Sequence, residues 1–101
     1  MRKTILITGA SSGFGRDTAE TLAADGHRVF AGVRDIAGRN REIANALRSK
    51  AIEPIELDVT RDASVTAAVE VLLTKSGGKL DVVINNAGMA SAGVSESFTP
   101  E

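Results

Sequence analysis

The chain has 101 residues, 43% hydrophobic and 25% charged, a composition that is ordinary for one globular domain. Its formal net charge of -1 gives no general basic field, so we expect neither a nucleic-acid partner nor a membrane-surface role. The lack of cysteine and the single histidine, His27, exclude disulfides and thiolate or histidine-cluster metal sites, and no apolar run approaches the roughly 20 residues of a membrane span. These features predict a cytoplasmic protein without a bound metal.

The first part of the chain alternates between strand-like and helix-like patterns. A β-branched apolar run from Thr4 to Thr8 predicts a buried first strand. From Ser11 to Asp25, apolar residues recur at helical spacing, and Gly26 follows as a helix stop. The next apolar run, Val29 to Val33, predicts the second strand.

The middle of the chain repeats this alternation. A cap at Asp35 predicts a second helix that runs to about Ser49, with Ile36 on its apolar face. The third strand is predicted from Ile52 to Leu57, where Pro54 favours a position at the edge of the sheet.

The last predicted elements are one more helix and one more strand. Thr60 or Asp62 caps the helix, which ends at Gly77-Gly78, and the strand runs from Leu80 to Ile84. The order β-α-β-α-β-α-β, with right-handed crossovers, predicts an α/β fold: the first half of a Rossmann-type, doubly wound parallel sheet with strand order 3-2-1-4.

A glycine-rich turn, Thr8-Gly9-Ala10-Ser11-Ser12-Gly13-Phe14-Gly15, joins the first predicted strand to the first helix. Gly9 permits the tight turn, Gly13 lets a pyrophosphate approach the backbone, and Gly15 lets the helix pack closely on the sheet. The helix N-terminus adds unpaired N–H groups and the positive end of its dipole. Three glycines at these spacings arise by chance at roughly 3 in 10,000 start points, so the turn favours dinucleotide binding over an ordinary βα turn.

Three motifs together resemble those of the short-chain dehydrogenase/reductase family: the Thr-Gly-x-x-x-Gly-x-Gly turn, Asp58-Val59 after the third strand, and Asn85-Asn86-Ala87-Gly88 after the fourth. The resemblance implies an NAD(P)-dependent oxidoreductase in which Asp58 meets the adenine and the asparagines line the cofactor site. A turn or capping role for Asp58 stays open, and so does a loop-tying role for Asn85 and Asn86.

The end of the second strand distinguishes NADP from NAD. NAD enzymes place an acid there for the ribose 2′-hydroxyl. Aligned by the strand, that position holds Val33, and Arg34 follows, whose guanidinium suits a phosphate. We therefore predict NADP, with NAD as the less favoured cofactor, because a two-residue shift would bring Asp35 into the acidic position. Arg34 as a solvated loop residue is the alternative.

The predicted cofactor-binding residues are Thr8, Gly9, Ser11, Ser12, Gly13, Phe14, Gly15, Arg34, Asp58, Val59, Asn86, Ala87 and Gly88.

The sequence contains no tyrosine. The family resemblance implies chemistry by a Tyr-x-x-x-Lys pair with an upstream serine, where the tyrosine exchanges the substrate proton, so we assign no catalytic residue. Residues 1–101 are interpreted as the N-terminal part of one NAD(P)-binding domain: an inactive fragment of an enzyme that moves a hydride between NADP(H) and an alcohol or carbonyl substrate. A non-catalytic dinucleotide-binding module or redox sensor is the alternative.

Without a fifth strand beside it, the apolar fourth strand predicts association into a homo-oligomer.

Overall fold

The computed structural model describes residues 2–9 and 13–86. Strands and helices alternate in that part of the chain: β1 Thr4–Thr8, α1 Gly13–Ala24, β2 Arg28–Val33, α2 Arg41–Ser49, β3 Ile52–Glu56, α3 Asp62–Ser76 and β4 Val82–Asn85. The strands are parallel and lie in the order β3-β2-β1-β4, which confirms the predicted Rossmann-type topology. Over the described ranges, no helix is both long and apolar enough to cross a membrane.

The central strands β1 and β2 are buried on both faces of the sheet. Helices α1 and α2 cover one face, where Ile7 and Val29 belong to the core, and α3 covers the other, around Phe30 and Leu72. A parallel strand covered on both faces needs a continuous apolar run, which is why β1 was readable from sequence. The prediction from Pro54 is also confirmed, because β3 lies at one edge of the described sheet.

The predicted start of the second helix at Asp35 is wrong, because α2 begins only at Arg41. Asp35 caps a preceding turn instead: its carboxylate accepts the N–H of Arg39 at 2.9 Å, and its carbonyl accepts that of Asn40 at 3.0 Å. An aspartate suits a turn of this kind as well as it suits a helix cap. Ile36 lies in the turn rather than on the helix, although it still packs against the same core.

The predicted caps of the third helix are also wrong. The N-cap of α3 is Arg61, which makes no side-chain capping bond, and Asp62 is the first helical residue. Thr60 lies one residue before the N-cap, in the turn where its N–H and its hydroxyl both donate to Asp58. The predicted stop is confirmed, since Gly77 ends the helix in the left-handed conformation with φ 70°.

The fourth strand begins at Val82 rather than at the predicted Leu80. The residue before it, Asp81, pairs with β1 partly through its side chain. Its carboxylate accepts the N–H of Thr4 at 2.8 Å, and its own N–H donates to the carbonyl of Thr4 at 2.8 Å. β4 lies at the other edge of the described sheet, where Val83 is 48% exposed. Self-association through this edge stays a prediction.

Candidate functional site

The carboxyl ends of the four strands open into one cleft of about 410 Å³. Its walls are formed by segments that follow the strands: Gly9 after β1, Arg34 after β2, Asp58 after β3 and Asn86 after β4. A parallel sheet brings these ends to one edge, and this edge is where ligands of doubly wound folds bind. The other described residues on the walls are Gly32, Val33, Asn40, Leu57, Val59 and Thr60.

The described glycines of the turn, Gly9, Gly13 and Gly15, differ in backbone conformation and in surroundings. Gly9 and Gly13 adopt the left-handed region, with φ 65° and 63°. Apart from its chain neighbours and the backbone of its own helix, no atom of the described residues lies within 4 Å of the place where a Cβ on Gly13 would stand. A Cβ on Gly15 would overlap the side chain of Asn86 and lie 2.5 Å from the carbonyl oxygen of Gly9. Gly15 therefore permits the close approach of α1 to the sheet.

Two asparagines fasten the end of β4 to the end of β1. Asn86 Nδ2 donates to the carbonyl oxygen of Gly9 at 3.0 Å, and the Thr8 hydroxyl donates to Asn85 Oδ1 at 2.9 Å. Asn86 also lines the cleft, so one residue both ties the loop to the end of β1 and lies on the cleft wall. Thr8 is buried, and the bond to Asn85 orients its hydroxyl toward β4.

Asp58 lies on the cleft wall and also organises the turn after β3. Its Oδ1 accepts the hydroxyl of Thr60 at 2.6 Å and the N–H of Thr60 at 3.0 Å, while its own N–H donates to Ser64 Oγ at 2.9 Å. The two bonds from Thr60 lower the pKa of Asp58, and the positive charges of Arg34 and Arg61 lower it further. The carboxylate is thus held in its ionised, acceptor-only form beside the cleft.

Replacing Thr60 by valine is expected to raise the pKa of Asp58, because the variant loses the hydrogen bond that lowers it most. A carboxyl with a depressed folded pKa stabilises the fold above its unfolded pKa and loses that contribution as the pH falls through the folded pKa. The variant should therefore show a weaker dependence of stability on acid pH.

Carbon-detected NMR titration of Asp58 measures this pKa directly. Thr74→Val is the matched control, since the Thr74 hydroxyl donates to the backbone carbonyl of Glu70 and contacts no carboxylate. An Asp58 pKa that is the same in Thr60→Val as in the parent chain would show that the Thr60 hydroxyl is not the main cause of the lowered pKa.

At the end of β2, Arg34 lies on the cleft wall, and the neighbouring Asp35 is not among the described wall residues. Val33 and Arg34 line the cleft, whereas Asp35 uses its carboxylate to accept the N–H of Arg39. Among the residues that the structure describes, no side chain forms a hydrogen bond or ion pair with the Arg34 guanidinium. The acid that a shifted alignment would supply is therefore not on the described wall.

Thr8, Gly13, Gly15 and Phe14 are not among the described residues of the cleft wall. Phe14 is 68% exposed in a shallow depression on α1, with Asp17 and Thr18, and does not belong to the described wall of the cleft. The other predictions, which lie outside the described residues, concern Ser11, Ser12, Ala87 and Gly88.

Sequence reasoning missed several wall residues. Gly32, Leu57 and Thr60 could have been predicted to line the cleft, because each lies at or just after the carboxyl end of a predicted parallel strand. Asn40 had none, since it reaches the wall only through the turn that Asp35 caps.

The comparison with known protein families decides what kind of chain this is. The family model described as short chain dehydrogenase matches residues 3–101. The chain belongs to the short-chain dehydrogenase family. The predicted resemblance is confirmed, and Gly9 and Asn86, one from each of two family motifs, lie together on the cleft wall.

Individual relatives show the same likeness. The 3-ketodihydrosphingosine reductase of Bacteroides thetaiotaomicron is 41% identical over 97 residues, which cover 96% of this chain and 32% of the relative. The 3-ketoacyl-(acyl-carrier-protein) reductase from Brucella melitensis, complexed with NADH, aligns with TM-score 0.67 and 41% identity over 80% of this chain and 32% of that chain. A variant of actinorhodin polyketide ketoreductase with NADPH aligns with TM-score 0.72 and 31% identity, covering 84% and 33%. The chain spans from 25% to 37% of the length of the curated relatives that it matches.

Proposed function

We propose that the chain binds NADP(H) in the cleft, as the cofactor-binding part of an oxidoreductase that moves a hydride between NADP(H) and an alcohol or carbonyl substrate. The observation that carries this proposal is Arg34 on the cleft wall at the end of β2, next to Val33 in the place of an acid. The similar structures hold NADH in one case and NADPH in another, so they support a nicotinamide dinucleotide in general. The choice of NADP rests on Arg34.

The residues of the cleft, together with Gly13 at the start of α1, fit the parts of such a cofactor. The open backbone at Gly13 begins α1, where the helix dipole and free N–H groups favour a diphosphate. Arg34 offers a guanidinium for the 2′-phosphate, and the ionised Asp58 offers an acceptor on the adenine side. The bound cofactor supplies the hydride, while the residues of the chain bind and orient it.

Replacing Gly13 by alanine is expected to weaken NADPH binding by at least about tenfold, because the methyl group enters the space that the diphosphate needs. Gly77→Ala is the matched control: Gly77 also has a positive φ and open surroundings, but it ends α3 away from the cleft. Each substitution should cost about 1–2 kcal/mol of stability for the left-handed conformation.

Calorimetric titration of the folded chains with NADPH tests the site. Parent and Gly77→Ala should bind alike, and only Gly13→Ala should lose affinity. Equal NADPH affinity in all three chains would show that Gly13 does not contribute to the binding site. A folded parent chain that does not bind NADPH would contradict the proposed function.

A non-catalytic dinucleotide-binding module or redox sensor is the second candidate, favoured by the lack of any tyrosine in the sequence. Both candidates need the same cofactor site, so binding does not separate them. The coding sequence beyond residue 101 does: a Tyr-x-x-x-Lys pair there would support the oxidoreductase, because the tyrosine supplies the proton donor that hydride transfer to a carbonyl requires.

A further inference from the structure

The carboxylate of Glu56 reaches from β3 to the loop that follows β2. Its Oε2 accepts the N–H of Asp35 at 2.8 Å, and its Oε1 accepts the N–H of Ile36 at 3.0 Å. Strand pairing brings it there, since Glu56 is the register partner of Val33. Both oxygens of one side chain therefore hold the two peptide groups that directly follow Arg34.

Two further bonds hold the same segment from its other end. Asn40 Nδ2 donates to the carbonyl oxygen of Arg34 at 2.6 Å, and the Asp35 carboxylate accepts the N–H of Arg39. These bonds stabilise Asp35 at φ 52°, a conformation that few residues other than glycine adopt. In this conformation Arg34 lines the cleft, and Asp35 is absent from the described wall.

We infer that Glu56 is a positioning residue for cofactor choice, acting on the 2′-phosphate through the backbone of Arg34. The inference rests on the proposed preference for NADP(H). Glu56 is not among the described residues of the cleft wall, so it acts without lining the site itself. An arginine on a fixed backbone loses less conformational freedom when it binds a phosphate, and this raises affinity.

Because Glu56 is charged, a positioning role and a purely electrostatic role predict opposite changes in phosphate affinity when that charge is removed. A carboxylate near the site repels a phosphate through space, so neutralising it would strengthen phosphate binding if charge alone mattered. Loss of positioning weakens the binding. Glutamine at this place keeps the length of the side chain but turns an NH₂ group toward one of the two N–H donors, so one hydrogen bond is lost.

The experiment uses Glu56→Gln in the 101-residue chain, with adenosine 2′,5′-bisphosphate and adenosine 5′-monophosphate as probes. The affinity for the bisphosphate should fall about five- to tenfold, the effect of one hydrogen bond of ordinary strength. The affinity for the monophosphate should stay unchanged, because that probe lacks the group that Arg34 binds. Glu56→Asp, which keeps the charge but shortens the reach, should show the same selective loss.

Two controls separate positioning from a general effect. Glu53→Gln makes the same exchange on the same strand, where the carboxylate pairs with Arg28 at 2.9 Å, and should change neither affinity. In an Arg34→Ala background, Glu56→Gln should cause no further loss. Tighter bisphosphate binding, an unchanged ratio of the two affinities, or an equal loss of both in the Glu56 variants would overturn the inference. A parent chain that binds both probes equally would instead defeat the proposed NADP preference, and the inference with it.

Discussion

In an Arg34→Ala variant, the affinity for NADPH should fall by about ten- to a hundredfold, and the affinity for NADH should change by less than about twofold. Only NADPH carries the 2′-phosphate, and a guanidinium makes charge-assisted hydrogen bonds to such a group. Arg34 stands on the cleft wall, and within the described ranges no carboxylate forms an ion pair with its guanidinium. Its guanidinium interacts with Asp58 only through the longer-range electrostatic effect that lowers the pKa of that carboxyl, so among the described residues its N–H donors are not used by a side chain.

Titration of parent and variant with both cofactors at one ionic strength measures this change in preference. Arg39→Ala is the matched control, because it removes the same charge from an exposed residue of the same turn that does not belong to the described cleft wall. Only the backbone N–H of Arg39 bonds to Asp35, so the turn should persist in this control. If both cofactors lose affinity equally in Arg34→Ala, Arg34 does not select the 2′-phosphate.

The order of the sheet was predictable because its signals are local. β1 is a five-residue run that is buried throughout, and such runs separated by helical patterns indicate a parallel sheet. Right-handed crossovers then leave few possible orders, and the observed one is β3-β2-β1-β4. The starts of α2 and α3 were not predictable in this way, because Asp35 and Thr60 use their polar groups in turns that compete with capping.

The candidate site, like the fold, was predictable from the sequence only in part. The glycine-rich turn, Asp58 and Asn86 carry signals in their spacing, and the structure brings Gly9, Asp58 and Asn86 to one cleft. Asn40 and Glu56 carry no such signal. Asn40 bonds to the carbonyl of Arg34 within an irregular loop, and Glu56 bonds to the two residues after Arg34 from the strand paired with β2. The irregular loop has no periodic pattern, and the contact made by Glu56 between two strands leaves no pattern in the sequence of either strand.

Gly15→Ala is expected to lower the free energy of unfolding by about 2–3 kcal/mol, the upper part of the range for overpacking. Helix propensity alone predicts the opposite sign, since alanine in a helix is favoured over glycine by about 1 kcal/mol. The steric effect should win because the new Cβ would lie 2.5 Å from the carbonyl oxygen of Gly9, a backbone atom that cannot rotate away, and would also overlap the side chain of Asn86.

Urea unfolding followed by circular dichroism measures the loss, and the double variant Gly15→Ala/Asn86→Ala tests its cause. Asn86 bonds to the carbonyl of Gly9, so its removal alone should cost stability. If the two side chains compete for one space, however, the double variant should lose less than the sum of the single losses. Strict additivity would place the cost at the Gly9 carbonyl alone. A Gly15→Ala chain as stable as the parent would show that α1 does not need the close approach to the sheet that this glycine permits.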